Sequence, residues 1–128
     1  MWRPDETQSL SPEGRADAER VADLLARRPI AAMYASPYPR AAETVAPLAE
    51  RLGLEVRTEV DLRERLLAPG RVPDFEAAVR RAWEQPDEPA IPGGEPNRAA
   101  AARAVAVVER LRARHAGEGV VAATHGSL

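Results

Sequence analysis

The chain contains no cysteine and no lysine, and its aromatic residues are two tryptophans, two tyrosines and one phenylalanine. Without cysteine there are no disulfides, thiolate metal sites or cysteine nucleophiles. Without lysine there is no Schiff-base chemistry and no phosphate-loop lysine. All 18 cationic side chains are arginines, so anion recognition must use guanidinium groups, whose planar fork suits bidentate contacts to phosphate oxygens. Two histidines without carboxylates at ligand spacing give no expectation of a metal site. The net charge is −2 and the pI is near 5.7. No basic stripe runs with Trp2 or Trp83, so neither a nucleic acid nor a membrane surface is an expected partner. No apolar run is long enough to span a bilayer and no signal-peptide pattern opens the chain, so a cytoplasmic location is expected.

The 128 residues fit one domain, and 45% of them are hydrophobic. Much of that fraction is alanine, which buries little area, so a thin core is expected. Ser11 as a cap, Pro12 at the first helical position and Glu13 in the first turn announce a helix that runs to about Arg28, where Pro29 stops it. Ile30–Ala35 is a short apolar run bounded by prolines and reads as a buried strand. A second helix spans about Pro39–Arg51 with Gly53 as its C-cap, followed by a strand at Leu54–Thr58. Residues 59–72 read as a charged loop, Pro73-Asp74 opens a third helix, and 85–97 is a proline- and glycine-rich loop. A long helix from about Asn97 to His115 precedes a third strand, Val120–Thr124. Strands separated by helices predict an α/β domain with a mainly parallel sheet.

Ligands of such sheets bind at the carboxyl ends of the strands. Arg40 lies just beyond one such end, near a helix start where a guanidinium beside free backbone amides would suit an oxyanion; the alternative is a solvated surface arginine. His125 follows another strand directly, where an imidazole can meet an anion or transfer a proton, and Gly126 lets a ligand come close; the alternative is a purely local hydrogen bond. Glu64 sits in the charged loop, either as a general acid or simply paired with neighbouring arginines. Pro92-Gly93-Gly94-Glu95 permits a tight turn. His115 is read as a residue suited to the carbonyl end of its helix rather than a catalytic one.

Taken in order, these features resemble the histidine phosphatase superfamily, the phosphoglycerate mutase-like proteins. Leu10–Arg15 is similar to the helix start "LT-x-x-G", Ala35–Thr44 to "SSP-x-x-RA-x-x-T", Leu62–Arg65 to "L-x-E", Pro92–Glu95 to "P-x-GES" with Pro96 in place of serine, and Thr124–Ser127 to "SHGG" or "THGN". The resemblance covers essentially the whole chain. It implies a three-layer α/β/α fold, incomplete at both ends, as a single partial domain over 1–128 with 59–97 as a short cap. It implies phosphomonoester hydrolysis through a phosphohistidine, with no cofactor and a small phosphorylated substrate or phosphate as ligand. Arg40 and His125, with Gly126, would hold the phosphoryl group, and Glu64 would be the proton donor. The family's Arg-His-Gly or Arg-His-Ala motif, which carries the attacking histidine, does not occur, and Met1–Asp5 reads as the loop that should follow it. The resemblance therefore implies a chain inactive as given; the alternative is a non-catalytic remnant that binds a phosphorylated ligand or a partner. The implied sheet order is 54–58, 30–35, 120–124, which leaves 120–124 as an apolar edge inviting self-association.

Overall fold

A computed structural model describes residues 7–126 and residue 128. Met1–Asp5 and Ser127, used in the motif reading, lie outside the described residues, and so does Trp2 of the nucleic-acid argument. The elements run α1 (Pro12–Leu25), β1 (Ile30–Ala35), α2 (Pro39–Leu52), β2 (Val56–Thr58), a 3-10 turn (Val60–Leu62), α3 (Phe75–Glu84), α4 (Asn97–Arg114) and β3 (Gly119–Ala123). The three strands form a parallel sheet in the expected order, β2-β1-β3.

Strand β1 explains the layering. Its alternate side chains point to opposite faces, and the last four, Ala32 to Ala35, are all buried. Met33 and Ala35 pack with Ala22 of α1 and with Val45, Leu48 and Ala49 of α2. Ala32 and Tyr34 pack on the other face with Val107 and Leu111 of α4. Helices on both sides of a buried central strand make the three-layer α/β/α arrangement. Most buried apolar residues are alanines, as composition implied. A third, separate cluster joins Ala78 and Ala82 of α3 to Ala90, with Leu67, Val72 and Ile91 around it, and gives the 59–97 segment a small core of its own.

Local chemistry sets the ends of the elements. The Ser11 side chain accepts from the Gly14 backbone N–H and caps α1. Gly53 takes a left-handed conformation (φ 66°) at the end of α2, and the Leu54 N–H donates back to Ala49. Leu54 thus belongs to the helix cap, and β2 starts at Val56 rather than at Leu54. Strand β3 begins at Gly119, one residue earlier than expected, where it pairs with Ile30 and where a side chain would meet the Pro29 carbonyl oxygen at 2.5 Å. His115 does more than suit a helix terminus. Its ring Nε2 lies 2.8 Å from the buried Tyr34 hydroxyl, and Nδ1 lies 3.2 Å from Glu118. Arg57 and Arg114 also donate to the Tyr34 oxygen, at 3.3 and 3.4 Å. Burial disfavours the phenolate, but the two guanidinium groups outweigh it and bring Tyr34 below its ordinary pKa of 10.

The segment before α1 is tied to α2 by Glu43, whose carboxylate accepts the Leu10 N–H at 2.7 Å and meets Arg15 at 3.5 Å. The backbone hydrogen bond from Leu10, with help from Ser9 and Arg15, holds this carboxyl below its usual value of 4.5. A depressed carboxyl pKa stabilises the fold above the unfolded value, and the contribution is lost as pH falls through the folded one. Glu43→Gln should therefore lower the melting temperature at neutral pH. The difference from wild type should shrink as acid titrates the carboxylate, and a gap in Tm independent of pH would contradict this role.

Candidate active site

The parallel register brings three strand ends to one level, because Ala35 of β1 is opposite both Thr58 of β2 and Ala123 of β3. The next residues are stitched across that edge. Ser36 N–H donates to Ala123 C=O at 3.0 Å, and Glu59 N–H donates to Ala35 C=O at 2.8 Å. Three segments, at 36–38 leading into α2, 59–65 and 124–126, therefore emerge side by side at the carboxyl edge of the sheet, the usual ligand position of such sheets. Arg40, Glu64, His125 and Gly126 all line one cleft there, of about 250 Å³, with Leu10 and Thr44. The four residues singled out from the sequence are thus brought together.

The side chains are held from below. Ser36 is buried, and its hydroxyl lies 2.8 Å from His125 Nε2 while it accepts the Tyr38 backbone N–H at 3.1 Å. The Tyr38 ring packs against the His125 ring, centroids 5.2 Å apart, and the Arg40 guanidinium lies over the same tyrosine, 5.3 Å from its centroid. One aromatic ring thus spaces an imidazole from a guanidinium and limits the rotamers of both. The Thr44 hydroxyl donates to the Arg40 carbonyl at 2.7 Å, inside the first turn of α2. The backbone amides at that helix start are not free, contrary to expectation. Pro39 has none, Arg40 N–H donates to Gln8, and those of Ala41 and Ala42 donate to Tyr38. These amides are therefore not available to an anion.

Glu64 makes no ion pair among the described residues, and its carboxylate accepts its neighbour's N–H, that of Arg65, at 2.8 Å. The simple surface pairing weighed for it is absent, and it faces the cleft. Its loop is anchored by Arg103 of α4, a residue the sequence did not single out. The Arg103 side chain, about nine-tenths buried, donates to the carbonyls of Asp61 and Arg63 at 2.5 and 3.0 Å and pairs with Glu95 at 2.7 Å. Glu95 N–H in turn donates to Leu66 C=O at 2.6 Å. Gly94 must be glycine, because a Cβ there would lie 2.2 Å from the Leu67 carbonyl oxygen. The Pro92–Glu95 stretch is thus the buttress of the Glu64 loop and not part of the cleft. Thr124, just past β3, ties the same loop to the sheet through a 2.7 Å hydrogen bond to Leu62 C=O.

Among the described residues no group of three or more histidine, aspartate or glutamate side chains could hold a metal ion, and no helix is long and apolar enough to cross a membrane. The arrangement offers one guanidinium, one imidazole and one carboxylate around a space of phosphoryl size, which suits binding a tetrahedral anion and moving a proton beside it.

Known proteins share this arrangement of sequence and fold. The chain is 44% identical over 121 residues to Uncharacterized protein Rv0525 of Mycobacterium tuberculosis, covering 91% of this chain and 60% of that protein. It is 34% identical over 129 residues to Phosphoglycerate mutase-like protein 4 of Arabidopsis thaliana, covering 93% of this chain and 56% of that one. The chain thus spans roughly three-fifths of the length of the curated relatives it matches. Among solved structures, mycobacterial glucosyl-3-phosphoglycerate phosphatase Rv2419c in complex with inorganic phosphate superposes with a TM-score of 0.80 at 29% identity, over 98% of this chain and 68% of that one. The model of the histidine phosphatase superfamily (branch 1) matches residues 3–128, and the chain belongs to that family.

Proposed function

We propose that the cleft is the phosphoryl-binding half of a phosphomonoesterase site. The observation that carries this reading is the convergence of Arg40, Glu64, His125 and Gly126 on one small cleft at the carboxyl edge of the sheet. It is supported by a relative of the same fold solved with inorganic phosphate. Arg40 binds two phosphoryl oxygens through its fork, and His125 faces the same group and stabilises its developing charge. Gly126 leaves room for the anion. In the first step an imidazole nitrogen bonds to phosphorus as the P–O bond to the alcohol breaks, and Glu64 gives the leaving oxygen its proton. In the second, water attacks the phosphohistidine, Glu64 takes a proton from that water, and phosphate departs. The 59–97 segment, with its own small core, is the cap over this cleft.

The attacking imidazole of that scheme is not among these 128 residues. The only histidines are His115, committed to Tyr34 and Glu118, and His125, assigned here to charge stabilisation. The chain as given is therefore a phosphate binder without covalent chemistry, and this same observation favours the second reading, a non-catalytic binding module. Loss of a nucleophile costs on the order of 10⁴ to 10⁶ in rate in hydrolases of other types. The 128-residue chain is expected to bind inorganic phosphate, seen by calorimetry, yet to hydrolyse p-nitrophenyl phosphate no faster than its Arg40→Ala variant. Hydrolysis that depends on Arg40 would overturn the assignment and make His125 or His115 the attacker.

The outer edge of β3 carries a further proposal. Among the described residues this strand pairs with β1 alone. Unpaired backbone groups on an apolar edge template pairing with another strand, and we propose self-association of the chain along it.

A further inference from the structure

Among the described residues Ser36 is the one polar side chain that is fully buried, with 1% of its surface exposed, in a core otherwise filled largely by alanines. At that burial its hydrogen-bond partners must come from the groups already packed around it, and a buried hydroxyl has to place its proton as well as its lone pairs. The backbone holds it in position. Its N–H donates to Ala123 C=O at 3.0 Å, across to the strand that leads into His125. Pro37 follows it and favours an extended backbone at Ser36. The Tyr38 N–H, two residues on, donates to the Ser36 hydroxyl oxygen at 3.1 Å. A backbone amide can only donate, so this contact takes a lone pair and leaves the hydroxyl proton to be placed.

The other partner of that oxygen among the described residues is His125 Nε2, at 2.8 Å. Two polarities are open to this contact. If Nε2 carried a proton, the Ser36 oxygen would accept from both Tyr38 and His125, and its own proton would be buried without an acceptor. If Nε2 is bare, the hydroxyl donates to it and every group is satisfied. A buried group without a partner costs more than a typical hydrogen bond contributes net, so the second polarity wins. Thr124 does not compete for the serine, because its hydroxyl donates to Leu62 C=O at 2.7 Å. An imidazole with Nε2 bare holds its proton on Nδ1. The two ring nitrogens point away from each other, so anchoring Nε2 also sets the direction of Nδ1. The Tyr38 ring, its centroid 5.2 Å from that of His125, limits the ring rotation that would exchange them.

We propose that Ser36 is a positioning residue that keeps His125 neutral with its proton on Nδ1, so that the donor His125 offers to an anion in the cleft is Nδ1–H. This rests on the reading of the cleft as a phosphoryl site. The test is nitrogen NMR of the imidazole rings in the 128-residue chain at neutral pH, with His125 and His115 told apart by sequential assignment. In wild type His125 Nε2 should resonate as a bare nitrogen and Nδ1 as a protonated one. In Ser36→Ala the Nε2–H tautomer, which free histidine favours, should appear, while His115 keeps its wild-type pattern. Lost packing alone would not move a proton from one ring nitrogen to the other. Inorganic phosphate added to wild type should shift Nδ1 and leave Nε2 bare, and Ser36→Ala should bind it about tenfold more weakly, the scale of one hydrogen bond to a charged group. A protonated Nε2 in wild type overturns the inference without any variant having to fold, and so does an unchanged tautomer in folded Ser36→Ala. Either result beside intact phosphate binding overturns this inference alone. Absence of any phosphate binding overturns the phosphoryl-site reading and, with it, the use assigned to Nδ1–H.

Discussion

Arg103→Met is expected to lower the stability of the chain by about 3 kcal/mol, the lower end of what breaking one partner of a buried ion pair costs. The estimate follows from what the guanidinium does and from what its loss leaves behind. Three of its nitrogens are engaged: Nε and Nη2 with the two carboxylate oxygens of Glu95 at 3.0 and 2.7 Å, and Nη1 with the carbonyls of Asp61 and Arg63. Methionine fills a similar volume but donates nothing. Glu95 would remain about four-fifths buried without its counter-charge, and two carbonyls would lose their donor. In a domain of this size the change should appear as a fall in Tm of roughly 10 °C. The Glu64 loop should also loosen, so amide exchange over 61–66 should quicken more than exchange in β1. Adding Glu95→Gln to the same chain should recover part of the loss, because a neutral amide costs less to bury than a carboxylate. A loss below about 1 kcal/mol would mean that the pair is screened and the loop is held by Thr124 and the Glu95 backbone instead.

That buttress marks where the sequence stops being readable. Arg103 is one of 18 arginines and follows Glu95 by eight residues, with nothing local to distinguish it. Its role exists only because the 59–66 loop crosses α4 in three dimensions. The same holds for Ser36 and His125, which meet across 89 positions, and for Tyr34 and His115 across 81. What the chain did announce rests on short-range chemistry. The Ser11-Pro12 start of α1, the glycine after α2 and the apolar run of β1 each act within a turn or a strand, and each appears where expected. The proposed site residues stood out through a resemblance in motif order and through the rule that strand ends carry ligands, and the parallel register of three strands gathers them at one cleft. The failed expectation of free amides beside Arg40 has a comparable cause. The residue that accepts its N–H is Gln8, thirty-two positions upstream in an irregular segment that gave no signal.

With those amides occupied, the proposed phosphoryl site leans chiefly on Arg40, and Arg40→Ala is expected to weaken inorganic phosphate binding by about 100-fold or more. Hydrogen bonds to charged groups contribute roughly 1.5–3 kcal/mol each, and a bidentate fork makes two, so even the lower figure reaches two decades. Arg40→Lys should retain the charge yet lose the fork and the flat face that lies on Tyr38, 5.3 Å from its centroid. Its affinity should therefore fall between the two, about tenfold below wild type, with a steeper dependence on ionic strength as a point charge replaces directed bonds. Tyr38→Leu supplies the matching probe from the other side. It leaves the guanidinium in place but removes the ring that spaces it from His125, so a several-fold loss would come from orientation alone. If Arg40→Ala binds phosphate as well as wild type does, the anion is held elsewhere and the cleft is not the phosphoryl site. If Arg40→Lys matches Arg40→Ala, the fork geometry carries nearly all of the recognition, and the charge by itself contributes little.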